Sequence, residues 1–252
     1  DGLLVGHRHS EEFIHAKRRI DEVFNIKEWQ KLQDKSARYL GEEMQQEADF
    51  SIKRSMAKYF EKVEPLPLKR SEDAAKPLSD DQITPLRSLV MKMAWPARKL
   101  MSQIAYGVST AAQGITTATV GLARRANKLL QVAKSEAAAG RAELTYRKVD
   151  LSRPCVVTFF DASLGQEEDG KSQYAVYTVA TDTRIVEQMV NANQVEHATN
   201  RIPRVVRSTM AAESAAFSNA IDKHLYCRLL FQVLMYGEEG LLDGDWREKL
   251  IV

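Results

Sequence analysis

The sequence has little cysteine and no long apolar run. Only Cys155 and Cys227 occur among 252 residues, with neither a CxxC spacing nor a nearby histidine. This pattern argues against a disulfide framework or a zinc site and indicates a reducing compartment. No signal peptide and no apolar run of membrane length is evident. We therefore expect an intracellular protein, cytoplasmic or nuclear, that has no membrane partner.

A marked excess of either charge is also lacking. The 36 Lys and Arg residues against 34 Asp and Glu residues leave a net charge of +2. Any nucleic-acid surface must therefore come from local patches. The chain starts with Asp1 rather than Met, and its last four residues, KLIV, resemble the start of a strand. These two features predict a piece of a longer protein.

What the sequence does contain is three segments of different pattern, which predict a mixed α/β (α+β) protein. Residues 1–80 alternate short strand and helix patterns and end in an exposed, Pro- and Lys-rich connector at 64–80. Residues 81–140 read as three amphipathic helices whose Met and Leu stripes form a core, with the second interrupted near Pro96. Residues 141–252 read as strands at 143–146, 155–160, 174–180 and 183–190. A long helix then begins near Ser208 and ends at Tyr236, with Gly237 in the C′ position that follows the helix.

One strand ends on a carboxylate. Residues 156–163 read VVTFFDAS, an apolar run typical of a central strand. Because side chains alternate along a strand, Asp161 should share a face with Val157 and Phe159. Asp before Ser and Gly is also ordinary turn chemistry, so a turn and a functional acid are both open here. The acidic residues 167–169 are expected to lie in a solvated hairpin loop.

The long helix carries a second acid, Glu213. A capping box from Ser208 or Thr209 would need its acid at position 211 or 212, so Glu213 lies too deep to cap. It is four residues before Phe217 in an expected sheet-facing stripe that also contains Met210, Ile221, Leu225 and Leu229. A partly buried acid needs a partner. A salt bridge to Arg204 or Arg207 is one possibility, and a bound cation shared with Asp161 is the other.

Two facing carboxylates cannot both stay ionised without a cation between them. Oxygen-only ligands of this kind suit Mg²⁺ or Mn²⁺. Two such ions would activate water for phosphodiester cleavage. Arg201, Arg204 and Arg207 add positive charge beside the proposed pair, as a phosphate approach requires. A solvated strand edge is the alternative interpretation of each arginine.

These residues resemble a known family. FFDAS at 159–163, followed by RSTMAAESAA at 207–216, is similar to the ribonuclease H domain of copia-type retrotransposon polyproteins. The resemblance extends to KPLS at 76–79, LRSLV at 86–90 and QIAYGVS at 103–109, which are similar to the segment that precedes that domain. DGLLVG at 1–6 resembles the end of the polymerase hairpin, which would make Asp1 a remnant metal ligand. YLG at 39–41 resembles the strand after it.

The resemblance implies a division of the chain into a reverse transcriptase palm remnant (1–80), a helical thumb or connection region (81–140) and a ribonuclease H-like domain truncated at its C-terminus (141–252). It also implies that Asp161 and Glu213 are the catalytic and metal-binding acids for Mg²⁺-dependent cleavage of RNA in an RNA:DNA hybrid. Arg201, Arg204 and Arg207 would contact nucleic acid. The family's third and fourth acids come later in its domain, and Asp243 and Asp245 lie too early to match them.

The sequence therefore predicts little or no catalysis by this chain, because two acids would hold a divalent ion poorly. Two alternatives stay open. One is a non-catalytic nucleic-acid-binding remnant, and the other is the product of a decayed or partial gene.

Overall fold

The computed structural model describes residues 10–26, 28–165 and 170–236, with Tyr236 described by its backbone alone. They form a mixed α and β structure of two antiparallel sheets and packed helices, which confirms the α+β class. The helices are α1 (Glu11–Val23), α2 (Asp80–Lys99), α3 (Ser102–Gln113), α4 (Val120–Ala138) and α5 (Thr209–Tyr236). The strands are β1 (Ala37–Tyr39), β2 (Glu42–Gln46), β3 (Ile52–Ser55), β4 (Glu143–Tyr146), β5 (Pro154–Ser163), β6 (Gln173–Asp182) and β7 (Asn193–Arg201). Three 3₁₀ helices lie at Ala57–Lys62, Ile115–Thr117 and Thr183–Val186.

The first sheet has the order β1-β2-β3-β4, with every pair antiparallel. Its last strand, β4, follows the helical region in sequence and pairs with β3, so that Ile52 is opposite Tyr146. Residues on either side of the helices therefore belong to one sheet. The predicted division at residue 140 assigns β4 to the third segment, whereas its hydrogen bonds join it to the first. The division itself remains a prediction.

Helix α2 continues through Pro96 to Lys99, so the predicted interruption near Pro96 is wrong. A proline inside a helix removes one backbone N–H and frees the carbonyl four residues earlier. That carbonyl belongs to Lys92, and it accepts a hydrogen bond of 3.0 Å from the hydroxyl group of Tyr59. The side chain thus replaces the missing backbone donor, and the helix remains continuous.

Helices α2, α3 and α4 pack with the 3₁₀ helix Ala57–Lys62 around one apolar core. The predicted Met and Leu stripes are confirmed as core for α2, where Leu86, Val90 and Met93 are fully buried. The stripe predicted for α4, through Val120, Ala123, Leu129 and Val132, is confirmed at its first two residues, which are fully buried. Leu130 and Ala133 are buried further along, whereas Val132 is exposed.

The connector between residues 64 and 80 is mostly exposed but is fixed along α4. Asn127 accepts a hydrogen bond from the backbone N–H of Leu66 (2.8 Å) and donates one to its carbonyl (2.9 Å). One guanidinium nitrogen of Arg124 lies 2.7–3.1 Å from the backbone carbonyls of Lys69, Arg70 and Glu72. A backbone hydrogen bond from the N–H of Gly121 to the carbonyl of Ala74 continues this contact.

The second sheet is an antiparallel meander of order β5-β6-β7, with an irregularity between Thr178 and Val179. The predicted strand at 183–190 is wrong, because β6 ends at Asp182 and a 3₁₀ helix follows. The carboxylate of Asp182 accepts from the backbone N–H of Arg184 (3.1 Å) and pairs with its guanidinium group (2.8 Å), so the chain turns there. The third strand starts ten residues later than predicted, at Asn193.

Candidate metal and nucleic-acid site

Helix α5 covers one face of the second sheet, and its contacts with β5 show which face. Oγ1 of Thr158 lies 3.1 Å from Nδ1 of His224. The rings of Phe160 and Phe217 lie 5.3 Å apart, measured between their centroids. Because successive side chains of a strand point to opposite faces, the even-numbered residues of β5 face α5.

The odd-numbered residues belong to the other face. In the register of the sheet, Phe159 pairs with Tyr177 and through it with His197. Nε2 of His197 lies 2.5 Å from the carbonyl oxygen of Ala97 in α2. On the same face, the amide of Gln173 donates to Oγ of Ser109 in α3 at 2.9 Å. This face is therefore the one that meets the helical bundle at β6 and β7.

Asp161 lies on this bundle side, in a cross-strand row with Ala175 and Thr199. It is exposed, as is Phe159 on the same side of the strand. The predicted shared face of Asp161, Phe159 and Val157 is consistent with the unbroken β5–β6 register. Asp161 therefore belongs to a regular strand rather than to a turn.

Glu213 lies in the second turn of α5 and is half-buried. Oγ of Ser208 accepts from the backbone N–H of Ala211 (3.2 Å), and the carbonyl of Ser208 accepts from Ala212 (3.1 Å). Ser208 thus caps the helix without any acid. Glu213 is too deep to take part, as the sequence predicts.

The predicted sheet-facing stripe of α5 is wrong. Met210 is 79% exposed and Phe217 is 51% exposed. The buried residues of α5 are instead Ala212, Ala216, Ala220, Cys227 and Gln232. Small side chains let the helix backbone approach the sheet closely, and this close approach leaves the larger side chains at the flanks of the contact.

Asp161 and Glu213 are consequently not brought together on one face. The alternation of β5 directs Asp161 away from α5, which carries Glu213 on the other side of the strand. The alternative salt bridge is not formed either, since no ion pair of the described residues joins Glu213 to Arg204 or Arg207.

The three arginines lie in different environments. Arg201 ends β7, is half-buried, and its Nη1 lies 3.4 Å from Oε1 of Gln113 in α3. Arg204 and Arg207 follow the strand and are exposed. Only the latter two present guanidinium groups to solvent in the way that a phosphate contact needs.

Within residues 10–26, 28–165 and 170–236, no group of three or more His, Cys, Asp and Glu side chains is arranged to hold a metal ion. Asp1, the predicted polymerase remnant, lies outside the described residues. The acidic loop residues 167–169, Gly237, Asp243 and Asp245 also lie outside them. None of the described helices is long and apolar enough to cross a membrane.

A polar cluster between α5 and the sheet was not found from the sequence. Glu196 of β7 accepts a hydrogen bond from Lys223 and lies 3.8 Å from Sγ of Cys227, and Thr158 links Thr178 to His224.

Burial, followed by the charge of Glu196, raises the pKa of the Cys227 thiol to about 11. The thiol is therefore protonated and is not a nucleophile at neutral pH. The four-residue spacing of Lys223 and Cys227 is the one sequence signal for this cluster.

No protein-family model matches the chain, and the searches of curated proteins and of solved structures also gave no match. The family resemblance therefore depends on the residues and motifs quoted above.

Proposed function

We propose that β5 to α5 form the first part of a ribonuclease H-like domain of a retrotransposon polyprotein, and that this domain binds RNA:DNA hybrid without cleaving it. The observation that carries the proposal is the chain order. An antiparallel three-stranded meander is followed directly by a long helix packed across its first two strands. The resemblance implies the same order, with one acid on the first strand and the other in the helix.

The separation of the two acids supports the non-catalytic form of the proposal. A shared Mg²⁺ or Mn²⁺ ion needs oxygen ligands within about 2.0–2.6 Å of one centre. The register places Asp161 on the face of β5 opposite the one that α5 covers, and Glu213 lies on α5. This placement does not favour one ion shared by both acids, which two-metal cleavage of a phosphodiester would need.

The exposed Arg204 and Arg207 follow β7 and precede α5. They offer two exposed positive charges to a phosphate backbone, and such contacts are the sequence-independent part of nucleic-acid binding. A hybrid helix is recognised mainly through its backbone and its groove shape. We therefore expect weak sequence preference and strong salt dependence.

The test measures the binding of a labelled RNA:DNA hybrid by fluorescence anisotropy between 50 and 200 mM salt. We expect the affinity to fall steeply with salt concentration. The double variant Arg204→Glu/Arg207→Glu should reduce the slope of the logarithm of the binding constant against the logarithm of salt concentration by about two. Arg18→Glu/Arg38→Glu is the matched control, because both arginines are exposed and lie outside the second sheet. An equal loss of hybrid affinity in both double variants would contradict the assignment of Arg204 and Arg207 to the binding surface.

Cleavage is measured in the same samples after adding Mg²⁺. We expect no product from the unmodified chain and unchanged binding in Asp161→Asn. Cleavage that Asp161→Asn abolishes would show that the acids do assemble, and the non-catalytic assignment would then fail. Absence of salt-dependent binding would instead reject the nucleic-acid function as a whole.

A further inference from the structure

Two side chains of β7 bond the last turn of α2. Nε2 of His197 lies 2.5 Å from the carbonyl oxygen of Ala97, and the amide of Gln194 donates to the carbonyl of Lys99 at 3.2 Å. The last four carbonyls of a helix have no partner within the helix. These four residues, which we call the β7–α2 junction, join the second sheet to the helical bundle and complete the end of α2.

The junction requires a neutral His197. To donate to the Ala97 carbonyl, Nε2 must carry the proton of the neutral ring, which leaves Nδ1 as an acceptor. Nδ1 is buried and has no hydrogen-bond partner among the residues that the structure describes. A second proton would therefore create a buried N–H group and a positive charge with no acceptor beside it, which is costly unless the contact opens.

The groups around His197 do not offer that acceptor. The ring of Tyr177 in β6 stacks on the imidazole with centroids 6.2 Å apart, and Tyr146 of β4 interacts electrostatically with Tyr177. On the helix side, the ammonium group of Lys99 lies over the ring of Trp95. Glu196, the preceding residue of β7, pairs with Lys223 on the opposite face.

The net effect of these surroundings is to lower the pKa of His197. Burial lowers the pKa of His197, and this exceeds the opposing effects of the Ala97 carbonyl and of Glu196, which raise it. A positive charge at a helix C-terminus is also favoured by the helix dipole. Even so, desolvation of the imidazolium is the larger effect at this buried position.

We propose that the β7–α2 junction is an acid-sensitive contact, which opens when His197 takes up a second proton and thereby releases the second sheet from the end of α2. In the open junction the imidazole is solvated and titrates near its ordinary value of about 6.5. In the closed junction it stays neutral to lower pH. The closed form is therefore fully favoured above pH 6.5 and loses that advantage as the pH falls below it.

The size of the effect follows from proton linkage. Between the pKa values of the open and closed forms, each pH unit changes the opening equilibrium by up to about tenfold. Opening should expose the amides that the end of α2 protects, namely those of Leu100 and Met101, which both bond to the carbonyl of Pro96. Their exchange with solvent therefore reports on the junction.

The test is amide hydrogen exchange of Leu100 and Met101 by NMR at pH 7.5, 6.5 and 5.5, corrected for the intrinsic pH dependence of exchange. We expect protection to fall about tenfold between pH 7.5 and 5.5 in the unmodified chain. In His197→Gln the fall should disappear, because the amide of Gln can donate to Ala97 as Nε2 does but does not titrate. His224→Asn is the matched control and should retain the fall, since His224 belongs to α5 and contacts Thr158 on the other face of the sheet.

Protection that is independent of pH in the unmodified chain, or a fall that persists in His197→Gln, would overturn the proposal. A direct titration of the labelled imidazole keeps the test decisive if the variant does not fold. Protonation of His197 above pH 6.5 in the folded chain would equally overturn it.

Discussion

Oγ1 of Thr158 and Nδ1 of His224 lie 3.1 Å apart, and this contact determines which face of β5 the long helix covers. Thr158 also lies 3.1 Å from Oγ1 of Thr178 on the neighbouring strand. The imidazole of α5 is therefore held against β5, where that strand pairs with β6. Since Asp161 is three residues from Thr158 on the same strand, it must lie on the other face. This relationship separates the two acids that the sequence pairs.

The face assignment can be tested with two adjacent phenylalanines. In a double-mutant cycle, Phe160→Ala and Phe217→Ala should show a coupling energy of about 0.5–1.5 kcal/mol, because the two rings are in contact. The measurement is the free energy of unfolding from urea denaturation. Phe159→Ala is the matched control and should not couple to Phe217→Ala. Coupling of Phe159 in place of Phe160 would mean that α5 covers the face of Asp161.

The first sheet contains an ion pair that should contribute more to the free energy of unfolding than the surface ion pairs do. Nε of Arg54 lies 2.7 Å from Oε2 of Glu42, whose side chain is 3% exposed, and its Nη1 donates to the hydroxyl group of Tyr146. Removing Arg54 leaves the buried carboxylate of Glu42 unpaired, and removing the charge of Glu42 leaves the half-buried guanidinium group without its anion. We expect Glu42→Gln or Arg54→Met to lower the free energy of unfolding by about 3–5 kcal/mol, as measured in urea.

An exposed pair on the same sheet is the control for this measurement. Nζ of Lys58 lies 2.7 Å from Oε1 of Glu43, but the lysine side chain is 70% exposed. Glu43→Gln should cost less than about 1 kcal/mol. Equal decreases in the free energy of unfolding for Glu42→Gln and Glu43→Gln would show that burial does not strengthen the ion pair between Glu42 and Arg54.

The connector should be released by a single substitution. Asn127 makes both backbone bonds to Leu66, so Asn127→Ala removes a donor and an acceptor and should cost about 1–3 kcal/mol. Trypsin should then cleave faster after Lys69 and Arg70, as followed by mass spectrometry. Asn191→Ala, which removes a bond to the carbonyl of Lys148 elsewhere, should leave that cleavage rate unchanged. Equal acceleration in both variants would indicate a general loss of stability instead.

The two thiols should be unreactive in the folded chain. Burial raises the pKa of Cys155, and it raises that of Cys227 to about 11, so only about one Cys227 in a thousand is a thiolate at pH 8. Iodoacetamide should therefore label Cys227 only after unfolding in urea, as detected by mass spectrometry. Labelling of the folded chain at the rate of a free thiol would contradict the buried position.

Local pattern predicts several elements correctly. The apolar run before Asp161 forms β5, the stripe of Leu86, Val90 and Met93 forms the bundle core, and the position of Glu213 excludes it as a cap. Each of these depends on neighbours within about one turn or one strand, where side-chain periodicity and capping rules apply. The predicted strand at 183–190 is wrong because Asp182 pairs with Arg184 and turns the chain early.

The sequence by itself determined the α+β class, the order of most elements and the face of β5 that Asp161 shares with Val157 and Phe159. Only the tertiary structure decided that α5 packs through Ala212, Ala216 and Ala220, that β4 joins the first sheet, and that His197 bonds Ala97 across 100 residues. The physical reason is that an alanine-rich helix has no strong apolar stripe to fix its rotation. The face that it presents depends on how closely its backbone can approach a sheet formed by distant parts of the chain.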